Sequence, residues 1–271
     1  MPAYPTRIAR AGLMLASLTV FMAAAPAQQS EVDVWDAFLK PKYFDAVELI
    51  ENDSIFTLDT PYRAEDAALT PVSIKARIPQ TEQRYIKTIW LIVDKNPEPL
   101  VGVFQLTPQM GQANLAMRVR IDAYTNIRAV AALNTGEHYM VANFVKAQGG
   151  CSAPLGSDLK EAMDRLGQMK FRTVGAENPD ATLVGQFMVS HPNITGMQLD
   201  QKTRLILPEH YVKKVTLTYN DRLIMQAETG ISVSEDPSFR FFFKPESGGK
   251  LKAAVEDSKG MHFEHEFDVQ I

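Results

Sequence analysis

The residue type with the most covalent chemistry to offer occurs once. Cys151 is the only cysteine in 271 residues, and it sits in Val145-Lys146-Ala147-Gln148-Gly149-Gly150-Cys151-Ser152-Ala153-Pro154. A thiolate attacks electrophilic sulfur, and adducts formed on it leave by exchange. Gly149 and Gly150 carry no side chain and reach backbone angles closed to other residues, so the segment reads as flexible and uncluttered and Cys151 as a presented thiol. Ser152 and Ala153 keep the far side thin, and Pro154 keeps it non-helical. With no second cysteine, Cys151 cannot close an internal disulfide. It is inert, bonded to another molecule (a disulfide-linked dimer through Cys151 is one such state), or chemically employed.

The other residue types supply little that would turn a substrate over. No phosphate-cradling glycine loop, nucleophile elbow or zincin motif is present. His138, His191, His210, His262 and His265 are spread along the chain. In His262-Phe263-Glu264-His265 an extended backbone puts His265 on the face opposite His262 and Glu264, a poor ligand geometry, so no metal site is assigned. No histidine or acid stands next to Cys151 in sequence to activate it as a cysteine hydrolase requires, and Lys146 reads as solvated. The chain therefore reads as a non-enzyme with no catalytic residue and no cofactor. Met188, Met197 and Met225 read as core packing.

The first 27 residues read as a cleaved signal peptide. Arg7 and Arg10 form a basic start, residues 12–22 an apolar stretch too short to span a bilayer, and Ala25-Pro26-Ala27 a cleavage site. The mature chain is then exported, and its formal charge falls from −4 to −6 with the loss of those two arginines. Acidic and without Lys/Arg clusters, it disfavours nucleic acid and membrane as partners. Hydrophobic residues make up 45% and charged ones 22%, as in globular proteins.

Elements that would position Cys151 are mostly strands. Residues 31–38 read as a short amphipathic helix that Pro41 ends, with Trp35 docking it on the first domain. Beyond it the period becomes two: over 71–78, Val72, Ile74, Ala76 and Ile78 alternate with Ser73, Lys75 and Arg77. Further strands are expected over 54–58, 86–93, 100–106, 114–121, 128–133 and 139–145, the last leading directly to the cysteine. Ser157 caps a helix expected over 157–169, and Asn178-Pro179-Asp180 closes a connector. Strands over 183–190, 214–220, 222–227, 238–244, 250–256 and 261–269 complete the pattern, with hairpin turns such as Asn220-Asp221. The fold class is all-β. Two immunoglobulin-like antiparallel sandwiches are expected, residues 28–150 and 182–271, joined by a cysteine arm and helix-containing linker over 151–181.

Phe56-Thr57-Leu58-Asp59, Asp94-Lys95-Asn96-Pro97-Glu98-Pro99, Arg118-Val119-Arg120-Ile121 and Gly149-Gly150-Cys151 resemble the SoxY subunit of the periplasmic thiosulfate-oxidising system. Ser190-His191-Pro192 with Thr195-Gly196, Leu207-Pro208-Glu209-His210-Tyr211 and Val233-Ser234-Glu235-Asp236-Pro237 resemble its partner SoxZ. The whole is similar to the fused SoxYZ-like carriers associated with quinoprotein dehydrogenases. The resemblance implies a periplasmic carrier that holds sulfur- or thiosulfate-derived intermediates covalently on Cys151, with Gly149 and Gly150 as arm hinge. Periplasmic sulfur-oxidising enzymes, or a quinoprotein dehydrogenase system, would process the adduct. One departure matters: in the separate subunit the cysteine arm ends the chain, whereas here the chain continues. Covalent fusion makes docking of the two halves intramolecular, so they are expected to pack together. The alternative is a non-enzymatic assembly module for a periplasmic dehydrogenase, with Cys151 dispensable.

Overall fold

Period-two alternation of apolar and polar residues is realised as burial. In the strand Thr70–Ala76, Val72 and Ile74 are buried while Lys75 faces solvent. A computed structural model of the chain describes Met1 and residues 33–174, 182–245 and 248–270. The leader expected over residues 1–27 and the connector Asn178-Pro179-Asp180 lie outside the described residues, apart from Met1.

The strands in order are β1 Leu49–Glu51, β2 Phe56–Asp59, β3 Thr70–Ala76, β4 Ile86–Val93, β5 Leu100–Leu106, β6 Leu115–Val119, β7 Thr125–Leu133 and β8 His138–Val145. After the cysteine come β9 Met169–Thr173, β10 Leu183–Val189, β11 Val212–Tyr219, β12 Arg222–Thr229, β13 Ser238–Phe243, β14 Gly249–Asp257 and β15 His262–Val269. They form a nine-stranded sheet, β1-β8-β7-β4-β5-β12-β11-β14-β15, facing a six-stranded sheet, β2-β3-β6-β13-β10-β9. All pairings are antiparallel except β1 with β8. Asn220 and Asp221, both at positive φ, turn β11 into β12 as the sequence suggests.

The all-β, immunoglobulin-like expectation holds, and the halves do pack together. They meet edge to edge in both sheets. β5 pairs with β12 from Leu106↔Met225 to Gly102↔Thr229, and β6 pairs with β13 at Ala116↔Arg240 and Leu115↔Phe241. Main-chain ladders thus carry each sheet across the junction. The core is continuous too: Phe104 of β5 packs on Phe239 of β13 with ring centroids 6.4 Å apart.

Several local expectations change. Pro41 does not end the first helix. Trp35–Leu39 forms a π-helical turn closed by Lys40 N–H to Trp35 O, and α1 (Lys40–Phe44) continues from it with Pro41 in its first turn. Trp35 docks as expected, packed with Leu39, Phe44, Ile92, Val130 and Met140 beneath the Arg128 guanidinium. The helix expected over 157–169 is shorter. α2 spans Leu159–Asp164, capped by Asp158 rather than Ser157, and Gly167 at φ 76° turns the chain into β9. β9 then pairs with β10, from Thr173↔Gly185 to Met169↔Val189. Of the three methionines read as core, Met225 is fully buried, whereas Met188 lies on the outer face of β10, half-buried.

Candidate functional site

β8 delivers the chain to the cysteine, but the thiol is not presented. Cys151 has no exposed surface. Burial pushes its pKa up to about 12, the Asp122 charge pushes the same way, and the Arg120 guanidinium opposes both. At neutral pH the stowed group is a protonated thiol and a poor nucleophile.

The two glycines differ in what they contribute. Gly149 sits at φ 76° with open space where a side chain would be, the left-handed conformation that favours glycine. A Cβ on Gly150 would lie 2.2 Å from Ala67 O and 2.7 Å from Ile121 O, so its missing side chain lets two backbones touch. Gly150 is therefore a packing residue in the stowed arm. The expected exposure fails because a Gly-Gly pair permits close approach as readily as freedom.

Both halves hold the arm. From the first, Gly149 N–H donates to Asp122 O at 2.9 Å and Gly150 N–H to Ile121 O at 2.9 Å. Buried Arg120 donates from Nη1 to Gly150 O at 3.1 Å. From the second, Thr195 Oγ1 donates to Cys151 O at 2.7 Å and Gln198 Nε2 to Ala153 O at 2.9 Å. Burial also lowers the Arg120 pKa, and its Nε has no hydrogen-bond partner.

Behind the arm the scattered motifs converge. Asn96 donates from Nδ2 to Arg120 O and to Ser232 Oγ, and accepts from Asp122 N–H. Ser234 N–H reaches Arg118 O, and Ser234 Oγ donates to Ala68 O at 2.6 Å. Glu235 accepts from Gly156 N–H and Ser157 Oγ just beyond the arm. Beside the arm's far side lies a cleft of about 410 Å³ walled by Leu155, Leu159, Met163, Leu199 and Leu207, with Lys202 and Asp158 paired at 2.7 Å across it.

The loop that carries Thr195 and Gln198 is braced from below by His191, His210 and Asp257, all buried. His210 Nε2 is 2.8 Å and His191 Nε2 3.7 Å from Asp257 Oδ2. Ile194 and His210 exchange backbone hydrogen bonds of 2.7 and 3.0 Å. Among the described residues this trio has the spacing of a metal-ligand set. Its protonation argues otherwise. Asn193 N–H donates to His191 Nδ1 at 3.0 Å, so in the neutral ring the proton is on Nε2, which then has no lone pair for an ion. Burial, with His210 adding to it, pushes the His191 pKa down to about 4 and keeps that ring neutral. His262, Glu264 and His265 do not gather: all three are exposed on the edge strand β15, and His265 stacks on Phe267.

Sequence reasoning singled out Cys151, Gly149 and Gly150, and the structure keeps them together. It missed Arg120, Asp122, Thr195 and Gln198 as arm contacts. Arg120 and Thr195 lay within the SoxY- and SoxZ-like motifs, but nothing local marked what they would touch.

Comparison with known proteins matches residues 40–151 to the family "Sulfur oxidation protein SoxY" and residues 171–268 to "Sulphur oxidation protein SoxZ". No curated protein matches the chain. Among solved structures, the sulfur carrier protein SoxY from Chlorobium limicola f thiosulfatophilum is 23% identical, with a TM-score of 0.34, covering 40% of this chain and 88% of its own. A superoxide reductase (neelaredoxin) from Ignicoccus hospitalis is 11% identical, with a TM-score of 0.31, covering 34% of this chain and 79% of its own. The SoxY match runs up to Cys151 itself, and the SoxZ match begins within β9. With a SoxY region followed by a SoxZ region in one polypeptide, the chain belongs to the fused SoxYZ-like proteins.

Proposed function

We propose that the chain is a periplasmic sulfur carrier that holds sulfur- or thiosulfate-derived intermediates covalently on Cys151 and performs no turnover of its own. The observation that carries this reading is the one free thiol of the chain, stowed in a loop fastened by a few hydrogen bonds contributed by both halves. A core cysteine needs no such fastening, and a catalytic one needs a base that lowers its pKa, whereas burial and the Asp122 charge raise this one. Instead, its reactivity is set by position. Buried, it is protonated and shielded; released into water, it regains an ordinary thiol pKa of about 8.5 and becomes a competent nucleophile.

Attachment of thiosulfate to the thiol forms a sulfur–sulfur bond, releases the thiol proton and removes two electrons, so a partner enzyme must accept those electrons. Sulfur arriving as a persulfide needs no oxidant: the thiolate takes the terminal sulfur and the donor leaves as a thiol. In either case the partner reaches Cys151 only after the arm leaves its cradle. Gly149, at positive φ in open space, is the point about which it can turn. The same release would be required for a disulfide-linked dimer. A dehydrogenase assembly module would make no use of this cradle, which favours the carrier reading.

The test is the intact mass of mature protein, purified from periplasm under alkylating conditions, before and after mild reductant. A reducible adduct of sulfur or thiosulfate mass on the Cys151 peptide, absent from Cys151→Ser, is expected. A thiol unmodified under every growth condition would contradict the reading.

A further inference from the structure

The two sheets differ in how the charges on their outer faces are matched. On the six-stranded sheet, strand alternation turns Asp59, Lys75, Arg118, Arg240, Arg172 and Lys170 outward. Asp59, the lone acid, is taken by Lys75 at 2.6 Å. Four cations remain without an acidic partner among the described residues, and the pairing register sets them in two rows. One row runs Asp59–Ser73–Ala116–Arg240–Gln186–Arg172, each residue opposite the next. In the adjacent row Lys170 stands opposite Met188 and Met188 opposite Ser238, with Arg118 opposite Pro71 further along. Arg172 donates, among the described residues, only to the neutral Gln186 Oε1, which holds its guanidinium without neutralising it. Among the described residues, the acids next to β13 in sequence, Glu235 and Asp236, are occupied by Gly156, Ser157 and Arg165.

The second half of the nine-stranded sheet is balanced. Glu228, Glu256, Glu264, Glu266 and Asp268 share strands β11, β12, β14 and β15 with Lys213, Lys214, Arg222, Lys250 and Lys252, and Lys250 and Lys252 are spent on Glu266 and Glu264.

We propose that the outer face of the six-stranded sheet is a docking surface for an acidic patch on a partner protein. Five inter-strand gaps of about 4.8 Å make it about 24 Å wide, the scale of one side of a standard protein interface. Half-buried Met188 and Phe242 supply apolar contact between the charges. A globular partner touches only this patch, whereas DNA or an anionic bilayer would also meet the net negative charge of the rest. The face also lies where a partner of the arm is needed. Arg118 precedes by two residues Arg120, whose Nη1 holds Gly150 O, and Arg118 O accepts from Ser234 N–H. This deepens the carrier reading and rests on it for the partner's purpose, but the binding itself does not need the thiol.

The test uses full mature protein with Cys151 blocked by alkylation, and a short fluorescein-labelled polyglutamate peptide as probe. The parent should bind it in low salt, with amide chemical-shift changes confined to β6, β13, β10 and β9. The triple change Arg118→Gln/Arg172→Gln/Arg240→Gln should weaken binding about tenfold, whereas Lys214→Gln/Lys250→Gln/Lys252→Gln should change it by less than about threefold. Equal losses in the two triples, shifts on the nine-stranded sheet, or tighter binding of a DNA duplex or phosphatidylglycerol vesicles would overturn the proposal. The shift map needs no variant, and because the thiol is blocked throughout, a failed carrier assay would leave this result standing.

Discussion

The two sides of the Cys151 loop are fastened in different ways. On the side leading out of β8, Gly149 and Gly150 are held by backbone N–H donors to Asp122 O and Ile121 O, reinforced by Arg120. On the side leading away, Cys151 and Ala153 are held by the side chains of Thr195 and Gln198, both from the second half. Main-chain bonds are set by the path of the strands and cannot be removed singly. Side-chain bonds can. The first half therefore specifies where the arm lies, and Arg120 of that half with Thr195 and Gln198 of the second decide how firmly it stays there. Fusion puts both parts in one chain, so the lock is always present at the site it locks.

The contrast is broken most severely from the backbone side. Gly150→Ala would drive a Cβ into Ala67 O, so the arm cannot seat. A cost of roughly 2–3 kcal/mol for such overpacking predicts Cys151 alkylation about a hundredfold faster than in the parent, with Tm little changed, since the rest of the sandwich is untouched. Thr195→Val removes the bond to Cys151 O and the Met197 N–H bond to Oγ1, and Gln198→Ala removes the bond to Ala153 O and the Thr195 N–H bond to Oε1. About 1 kcal/mol for each arm contact predicts roughly fivefold faster alkylation, and less than additive effects in the double variant because Gln198 also holds Thr195. Unchanged rates in both would mean that the second half is not the lock. Gly149→Ala meets no atom and strains only a residue at φ 76°; the cost of about 1 kcal/mol is divided between stowed and released arm, so alkylation should change by less than about fivefold.

The thiol leaves the pH dependence of stability untouched at neutral pH and shapes it only in alkali. The stowed pKa, about 12, lies above that of a released or unfolded thiol. Stowing therefore favours the protonated form. Its contribution is complete below the released pKa of about 8.5 and is lost as pH rises toward the stowed value. Parent and Cys151→Ala should accordingly share one pH dependence of the denaturant midpoint near neutrality and separate above about pH 9, the parent falling faster.

Much of this was legible in sequence. Alternation in Val72-Ser73-Ile74-Lys75 gave a strand with one buried face, and Asn220-Asp221 gave a hairpin turn, because both signals are local. The cysteine stood out by being alone. Its burial was not legible, because the atoms that bury it come from far along the chain: Ala67, Ile121 and Thr195 lie 84, 30 and 44 residues away, and no local pattern encodes their approach. Arg120 shows the same limit. Alternation with Arg118 would place both on the wet face, yet β6 ends at Val119 and frees Arg120 to turn inward to Gly150 O. β9 went unread because Met169-Lys170-Phe171-Arg172-Thr173 is short and continues a helix-like stretch, and only its pairing with β10 makes it a strand.

The most direct test is the rate of Cys151 alkylation in native mature protein as a function of reagent concentration, beside a peptide of sequence Gln-Gly-Gly-Cys-Ser. A stowed but releasable arm predicts a rate well below the peptide's that reaches a plateau at the opening rate. That plateau should rise in Thr195→Val while Tm holds. A rate equal to the peptide's would show that the thiol is never stowed, and labelling that appears only with global unfolding would show that the arm does not leave on its own.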